Sequence, residues 1–198
     1  MDDKELKVKV CIFGAGGVGK SSIVTKFIDE RFLPEYDPTI EDFFRKRITL
    51  NDEQINFSII DTAGNEEYSL IIENWIKESN IFVLVYSITR KLSLKEVQFF
   101  HDKIQRFFDC ENYPKVLIGN KSDLFTKREV SIEKGKKLAK ELNCKFIETS
   151  AKTGENINQI FYETILLEIE RLKTIENQKE NQNNQNQKKK KKGKCLLM

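Results

Sequence analysis

The segment Gly14 to Ser21 has the residue types and the spacing of a phosphate-binding loop. It fits the pattern G-x-x-x-x-G-K-[ST], in which glycines let successive backbone N–H groups turn toward phosphate oxygens. Lys20 is placed to reach the β- and γ-phosphates, and the Ser21 hydroxyl is a hard oxygen ligand of the kind that Mg²⁺ prefers. The alternative is a glycine turn packed beneath a helix, because short motifs also match by accident.

The sequence on either side supplies the strand and the helix that such a loop requires. Apolar and polar residues alternate over 7–13, which predicts a strand, and apolar residues recur at helical spacing over 21–29. A helix that begins at the loop adds the positive end of its dipole to the phosphate site.

The rest of the chain alternates between strand-like and helical segments. This order predicts a three-layer α/β fold with a six-stranded, mostly parallel sheet, one antiparallel edge strand and helices on both faces. The first two strands after the loop are joined by a short turn and form the antiparallel hairpin. Strands are predicted at 43–50, 54–60, 81–86, 115–119 and 145–149, and helices at about 93–109, 132–142 and 156–175.

Composition favours one domain of 1–176 and a tail of 177–198. The net charge of the 198-residue chain falls from +3 to −3 when the six lysines within 188–194 are left out, so a nucleic-acid-binding body is not expected. The four cysteines have no metal-ligand spacing, which is typical of a reducing compartment. No apolar run approaches the roughly 18 residues of a membrane span, and no signal peptide is expected.

Polar residues follow four of the predicted strands. Besides the loop, these are Asp61 after the third strand, Asn120 to Asp123 after the fifth, and Ser150 to Lys152 after the sixth. Ligands of open α/β sheets bind at the carboxyl ends of the strands, so these residues are expected to form one site.

The chemistry of these residues favours a guanine nucleotide with Mg²⁺. The Asp123 carboxylate can accept two hydrogen bonds, which suits the N1–H and amino group of guanine and does not suit adenine. Asp61 is expected to orient Mg²⁺ through water, and the Gly64 N–H can approach a γ-phosphate.

The order of the motifs G-x-x-x-x-G-K-S, Y-D-P-T-I-E-D, D-T-A-G, N-K-S-D and E-T-S-A-K, with a terminal C-a-a-X box, resembles the Ras family of small GTPases. The resemblance covers residues 7–175 and the last four. It implies the G domain of P-loop NTPases, in a monomer that works with exchange factors, GTPase-activating proteins and effector proteins.

The resemblance also implies the residues that bind GTP or GDP. Phe32 would pack on guanine, Lys121 would lie along the base, and 150–152 would touch the guanine carbonyl. The implied set is Gly14, Ala15, Gly16, Gly17, Val18, Gly19, Lys20, Ser21, Ser22, Phe32, Tyr36, Thr39, Asp61, Thr62, Ala63, Gly64, Asn65, Asn120, Lys121, Ser122, Asp123, Ser150, Ala151 and Lys152.

Two segments would respond to the γ-phosphate by analogy with Ras. The first switch, which is also the effector segment, spans Tyr36 to Phe44. The second switch spans Asp61 to about Trp75. Thr39 would join Ser21 and Asp61 at Mg²⁺, and Thr39, Lys20 and Asn65 would be catalytic. The effector residues are Tyr36, Asp37, Pro38, Thr39, Ile40, Glu41, Asp42, Phe43 and Phe44.

Two departures from the family pattern matter. Asn65 stands where the family usually has a water-orienting glutamine, and its side chain is shorter by about 1.5 Å. A misplacement of that order can cost about 10²-fold, so slow intrinsic hydrolysis is predicted. The second departure is apolar character in both switches, which either exposes an interaction surface or packs beneath the switch helix. It is carried by Phe43, Phe44, Ile71, Ile72, Trp75 and Ile76.

The tail combines two membrane signals. Asn177 to Gln187 is rich in Asn, Gln, Lys and Glu and is predicted to be a disordered tether. Cys195 begins a C-a-a-X box that favours farnesylation, loss of Leu196, Leu197 and Met198, and methylation. Each lysine within Lys188 to Lys194 would add about 1 kcal/mol against an anionic leaflet. A nuclear-localisation signal is the less favoured alternative.

These features predict a GTP-hydrolysing GTP/GDP switch that is cytosolic before prenylation and then anchored at the cytoplasmic face of the cell membrane. The alternative is a non-catalytic or nearly hydrolysis-dead GTP-binding interaction protein, for which Asn65 is the support. An ATP-dependent P-loop enzyme is disfavoured by Asp123.

Overall fold

A computed structural model of the chain describes residues 6–32, 41–50, 53–64, 69–108 and 113–194, with the backbone alone for 53, 69, 70 and 180–194. The strands are β1 (Leu6–Phe13), β2 (Glu41–Leu50), β3 (Glu53–Thr62), β4 (Ile81–Ser87), β5 (Lys115–Asn120) and β6 (Lys145–Thr149). The helices are α1 (Lys20–Asp29), α2 (Ser69–Glu78), α3 (Lys91–Phe108), α4 (Ile132–Glu141) and α5 (Ile157–Lys194), with a short 3₁₀ helix at Ser122–Lys127.

The six strands form one sheet in the order β2-β3-β1-β4-β5-β6. Only the β2–β3 pair is antiparallel, and the other four pairs are parallel. The predicted fold is therefore confirmed. β1 lies between β3 and β4, so the loop that follows it emerges at the middle of the sheet.

A group of helices packs on each face of the sheet, and apolar residues fill both contacts. On one face, α1 and α5 cover β1 and β3, and Phe27 of α1 stacks on Phe161 of α5 with ring centroids 3.7 Å apart. On the other face, α2, α3 and α4 cover the central strands, where Phe13 stacks on Phe100 at 5.1 Å. β4 is buried along its whole length, as expected for a strand covered on both faces.

The final helix is longer than predicted. It was expected to end around Ile175 and to be followed by a disordered tether over Asn177 to Gln187, and that prediction is wrong, because α5 continues to Lys194. Gln, Glu and Lys are good helix formers, Asn is a weaker one, and neither proline nor glycine interrupts the segment before Gly193. Intrinsic propensity therefore extends a helix whose first half is held by packing. Within the described residues, none of the helices combines the length and the hydropathy that crossing a bilayer would require.

Tyr86 of β4 carries a buried hydroxyl for which the described residues supply no hydrogen-bond partner. Two glycines make the room for it, since a Cβ at Gly119 would lie 2.7 Å from the hydroxyl and one at Gly135 would lie 2.5 Å from it. Burial raises the pKa of Tyr86, which agrees with an apolar setting.

We predict that Tyr86→Phe stabilises the protein by about 1 kcal/mol, because it removes a buried polar group that gains no hydrogen bond. Urea unfolding checks this. Gly119→Ala is the matched opposite change and is expected to destabilise the fold, since the added methyl group meets the Tyr86 ring. A loss of stability in Tyr86→Phe would show that the hydroxyl has a partner.

Candidate nucleotide-binding site

The loop between β1 and α1 is shaped by glycines at positions that other residues could not occupy. Gly19 has φ +97° and precedes the first turn of α1, and a Cβ there would collide with the Asn120 amide. Gly14 lies against the backbone carbonyl of Val85, which leaves no room for a side chain. The loop is thus folded tightly at the N-terminus of α1, where the first backbone N–H groups of a helix have no partner within the helix and can bind an anion.

Lys20, the first residue of α1, is a buried cation. Its Nζ donates hydrogen bonds to the Gly14 carbonyl at 2.8 Å and to the Ala15 carbonyl at 3.2 Å. Burial lowers the pKa of Lys20 to about 8, and the nearby Asp61 opposes this fall. The lysine therefore sits inside the curve of the loop as a desolvated charge, which strengthens its attraction to an anion.

Asp61, near the end of β3, is the complementary buried anion. Burial raises the pKa of Asp61 to about 6, while the Ser21 hydroxyl and Lys20 oppose this rise. Neither carboxylate oxygen has a hydrogen-bond partner of good geometry among the described residues. A buried carboxylate with free oxygens beside a serine hydroxyl is a set of hard oxygen donors, and these residues fit Mg²⁺.

A buried asparagine connects the loop to the other end of the sheet. The Asn120 amide nitrogen donates to the Val18 carbonyl at 2.8 Å, and the amide oxygen accepts from the Ala151 N–H at 3.2 Å and from the Thr149 hydroxyl at 3.3 Å. Three separate segments are held in register by this one side chain.

The residues that follow β5 and β6 lie beside the phosphate loop and form one wall of the site. Ser150 Oγ donates to Asp123 Oδ1 at 2.6 Å, which fixes the carboxylate. Lys121 Nζ donates to the Gly17 carbonyl at 2.7 Å and so lies across the loop. Burial lowers the pKa of Lys121. The structure therefore brings the predicted base-binding residues next to the phosphate loop.

Other predicted site residues are placed differently. The Thr62 hydroxyl donates to the Ile12 carbonyl at 2.7 Å, so its side chain joins β1 to β3. Phe32 packs against the core on the side of α1 and α5. Ser22 is half-buried on α1, Ser122 donates to Glu155 and Lys152 is exposed. Tyr36, Asp37, Pro38, Thr39, Ile40, Asn65 and 195–198 lie outside the described residues.

The described parts of the two switch segments touch each other. Trp75 Nε1 of α2 donates to Glu41 Oε1 at the start of β2. The Gly16 N–H donates to the Gly64 carbonyl at 3.1 Å, which joins the loop to the start of the second switch. The sequence pattern carried no signal for the contact between Trp75 and Glu41, nor for Glu155 as a partner of Ser122.

The apolar second switch mostly packs inward. Ile72, Trp75 and Ile76 of α2 are buried on the sheet, and Ile71 is 38% exposed. Phe44 packs against the core, whereas Phe43 is 61% exposed. Of the two alternatives, packing accounts for most of these residues, and Phe43 is the main one left at the surface.

Comparison with known proteins agrees with the site. A model of the Ras family matches residues 9–171. The chain is 44% identical to Ras-like protein rasX of Dictyostelium discoideum over 158 residues, which are 80% of this chain and 74% of that protein. It is 45% identical to Ras-like protein 1 of Saccharomyces cerevisiae over 159 residues, 80% of this chain and 52% of that protein.

The chain belongs to the Ras family. It is a Ras-like small GTPase with the fold of a P-loop G domain. Members of the Ras family bind GTP and GDP, and a magnesium ion is typical of their sites. In this Ras-family chain the matched region ends within α5, so the helical tail beyond residue 171 is outside the match.

We predict that Asn120→Ala weakens nucleotide binding strongly and destabilises the fold by about 2–4 kcal/mol. The change leaves the Val18 carbonyl and the Ala151 N–H unpaired in a buried site. Dissociation of a fluorescent GDP and urea unfolding measure the two effects. Thr149→Val is the matched control, because it removes only the longer bond to Asn120 and should cost about 1 kcal/mol or less. Equal losses in the two variants would contradict the bridging role.

Proposed function

We propose that this chain is a GTP/GDP switch that hydrolyses GTP and presents its switch segments to effector proteins when GTP is bound. The observation that supports it most directly is the pair of buried opposite charges, Lys20 and Asp61, at the phosphate loop. Buried charges are costly without partners, and a triphosphate with Mg²⁺ would satisfy both.

The residues that follow β5 and β6 would recognise guanine. Ser150 holds the Asp123 carboxylate, whose two oxygens can accept hydrogen bonds from guanine. Lys121 would lie along the base, and the loop of Ser150, Ala151 and Lys152 would touch the guanine carbonyl. Adenine presents a ring-nitrogen acceptor to the same carboxylate, so ATP is the poorer ligand.

Hydrolysis would rest on positioned charges. Lys20 would stabilise the charge that develops on the phosphate oxygens, and Asn65 with the Thr39 carbonyl would orient the attacking water. Mg²⁺, bound by Ser21, Thr39 and, through water, Asp61, would neutralise phosphate charge. Because Asn65 is shorter than glutamine, the intrinsic rate would be slow and activating proteins would raise it.

The γ-phosphate would also set the state of the switches. Thr39 and Gly64 would contact it directly, so its loss would release both segments. The hydrogen bond from Trp75 to Glu41 joins these two segments and would make them respond together. Exchange factors would release GDP, and effectors would bind the segment from Tyr36 to Phe44.

The tail would hold the switch at the cytoplasmic face of the cell membrane. A farnesyl group on Cys195 supplies one signal, and the lysines within Lys188 to Lys194 supply the second signal that stable anchoring requires. Before prenylation the protein would be cytosolic.

Nucleotide competition tests the guanine assignment. Fluorescent GDP bound to the protein should be displaced by GTP at far lower concentrations than by ATP. If ATP displaced it equally well, the role given to Asp123 would be wrong.

Single-turnover GTP hydrolysis tests the catalytic assignment. The natural protein is expected to hydrolyse GTP slowly, and Asn65→Gln is expected to be faster by up to about 10²-fold, because the longer amide reaches the water. Failure of both forms to hydrolyse GTP, even with an activating protein, would identify a GTP-binding interaction protein without turnover.

A further inference from the structure

Part of the sheet has a face that no described helix covers. On the side opposite α1 and α5, alternate residues of β2, β3 and β1 form two cross-strand rows. Arg45, Ser58 and Lys9 form one row, because Ser58 pairs with both of the others in the strand register. Arg47, Asn56 and Lys7 form the second row in the same way. We call these six residues the basic face.

Sheet geometry brings the four cations of the basic face together, namely Lys7, Lys9, Arg45 and Arg47. Neighbouring strands lie about 4.8 Å apart, so the two cations of a row are separated by about 10 Å at the backbone, and the rows are about 7 Å apart. All four side chains are exposed and long enough to converge over Ser58 and Asn56, which supply a hydroxyl and an amide between them.

These cations are not neutralised within the described part of the chain. Other cations form ion pairs there, such as Arg128 with Glu148 and Arg171 with Glu168, whereas the cations of the basic face form none. They line a groove of about 710 Å³, in which Glu78 is the one carboxylate among the described lining residues. Like charges this close repel one another, so an anion bound here would relieve that repulsion.

An exposed aromatic ring lies at one end of the groove. Phe43 precedes Arg45 by two residues on the same face of β2, and its side chain is 61% exposed. Exposed aromatic rings beside clustered Arg and Lys are typical of surfaces that bind the headgroup region of membranes.

The tail leaves the body at the same end of the sheet as the basic face. The Asn80 side chain accepts from the Lys9 N–H at 2.8 Å and donates to Glu168 of α5 at 2.9 Å, so α5 passes the end of the sheet at which β1 begins. The helix then continues to Lys194, toward the proposed lipid site. An anchored tail would keep the basic face at high effective concentration near an anionic leaflet.

We propose that the basic face binds the clustered phosphate groups of a polyphosphorylated lipid headgroup. Arg45 and Arg47 on one side and Lys7 and Lys9 on the other contact the phosphates, Ser58 and Asn56 donate from below, and the Phe43 ring meets the interface. This inference rests on the proposed membrane tethering and concerns a site separate from the nucleotide.

Vesicle binding by the unlipidated full-length protein loaded with GDP tests this site. One set of vesicles contains phosphatidylcholine with phosphatidylinositol bisphosphate, and the other contains phosphatidylcholine with phosphatidylserine at the same total charge. The natural protein should bind the bisphosphate vesicles more tightly. Lys9→Gln with Arg45→Gln should lose about tenfold or more of this affinity and should no longer distinguish the two sets.

A matched control removes the same charge elsewhere. Lys136→Gln with Lys140→Gln changes two exposed lysines of α4 and should keep the preference for bisphosphate vesicles. Equal losses in the two double variants, or a preserved preference in the Lys9 and Arg45 variant, would overturn the proposal.

Competitors separate the possible ligands. Soluble inositol trisphosphate should displace the protein only at much higher concentration than vesicles bind it, because the tail adds its own contacts on a surface. Equal potency would assign the site to a free phosphate compound, and displacement by hexaglutamate would assign it to an acidic protein segment. Either result would overturn the lipid assignment.

The hydrolysis assay distinguishes failure of this inference from failure of the proposed function. The Lys9 and Arg45 variant should bind GDP and hydrolyse GTP like the natural protein, since neither residue belongs to the nucleotide site. A loss of nucleotide binding in this variant would contradict the separation of the two sites.

Discussion

Two desolvated charges at the middle of the sheet dominate this structure. Among the described residues, Lys20 donates to two carbonyl oxygens, and the Asp61 carboxylate has no hydrogen-bond partner of good geometry. Burial lowers the pKa of Lys20 and raises the pKa of Asp61, so it favours the neutral form of each side chain. Such a pair costs stability in the absence of an anion and a cation, and the rest of the fold must hold it in place. The tight glycine loop, the start of α1 and the end of β3 all serve this placement.

The two sides of the site are held by different contacts. On the base side, the buried Asn120 ties together the loop, β6 and the residues that follow it. On the switch side, the bond from Trp75 to Glu41 joins the described parts of the two switch segments, and the backbone bond from Gly16 to Gly64 joins the loop to the second. A network of buried bonds opens rarely, so the Asn120 bonds keep the base side of the site in a fixed arrangement.

The fold and most of the site could be predicted because both depend on local signals. Period-two and period-3.6 patterns mark the strands and helices, and the motif residues directly follow strands whose ends meet. The length of α5 could not be predicted in this way, because its second half has no apolar pattern and depends on propensity alone. The contact between Trp75 and Glu41 joins residues 34 positions apart, and only the packing of α2 brings them together.

The basic face follows from the same alternation that builds the core. Along β1, the side opposite α5 changes from Lys7 and Lys9 to Cys11 and Phe13, which α2 and α3 cover. Along β3 it changes from Asn56 and Ser58 to Ile60, and along β2 from Arg47 and Arg45 to Phe43. The three strands change from polar to apolar in the same direction, so the sequences of β1 and β3 set the boundary of the helical cover, while Phe43 of β2 stays exposed beside it. Solvation alone would require polar residues beyond that boundary, but it would not require four cations with a single carboxylate among the described residues beside them.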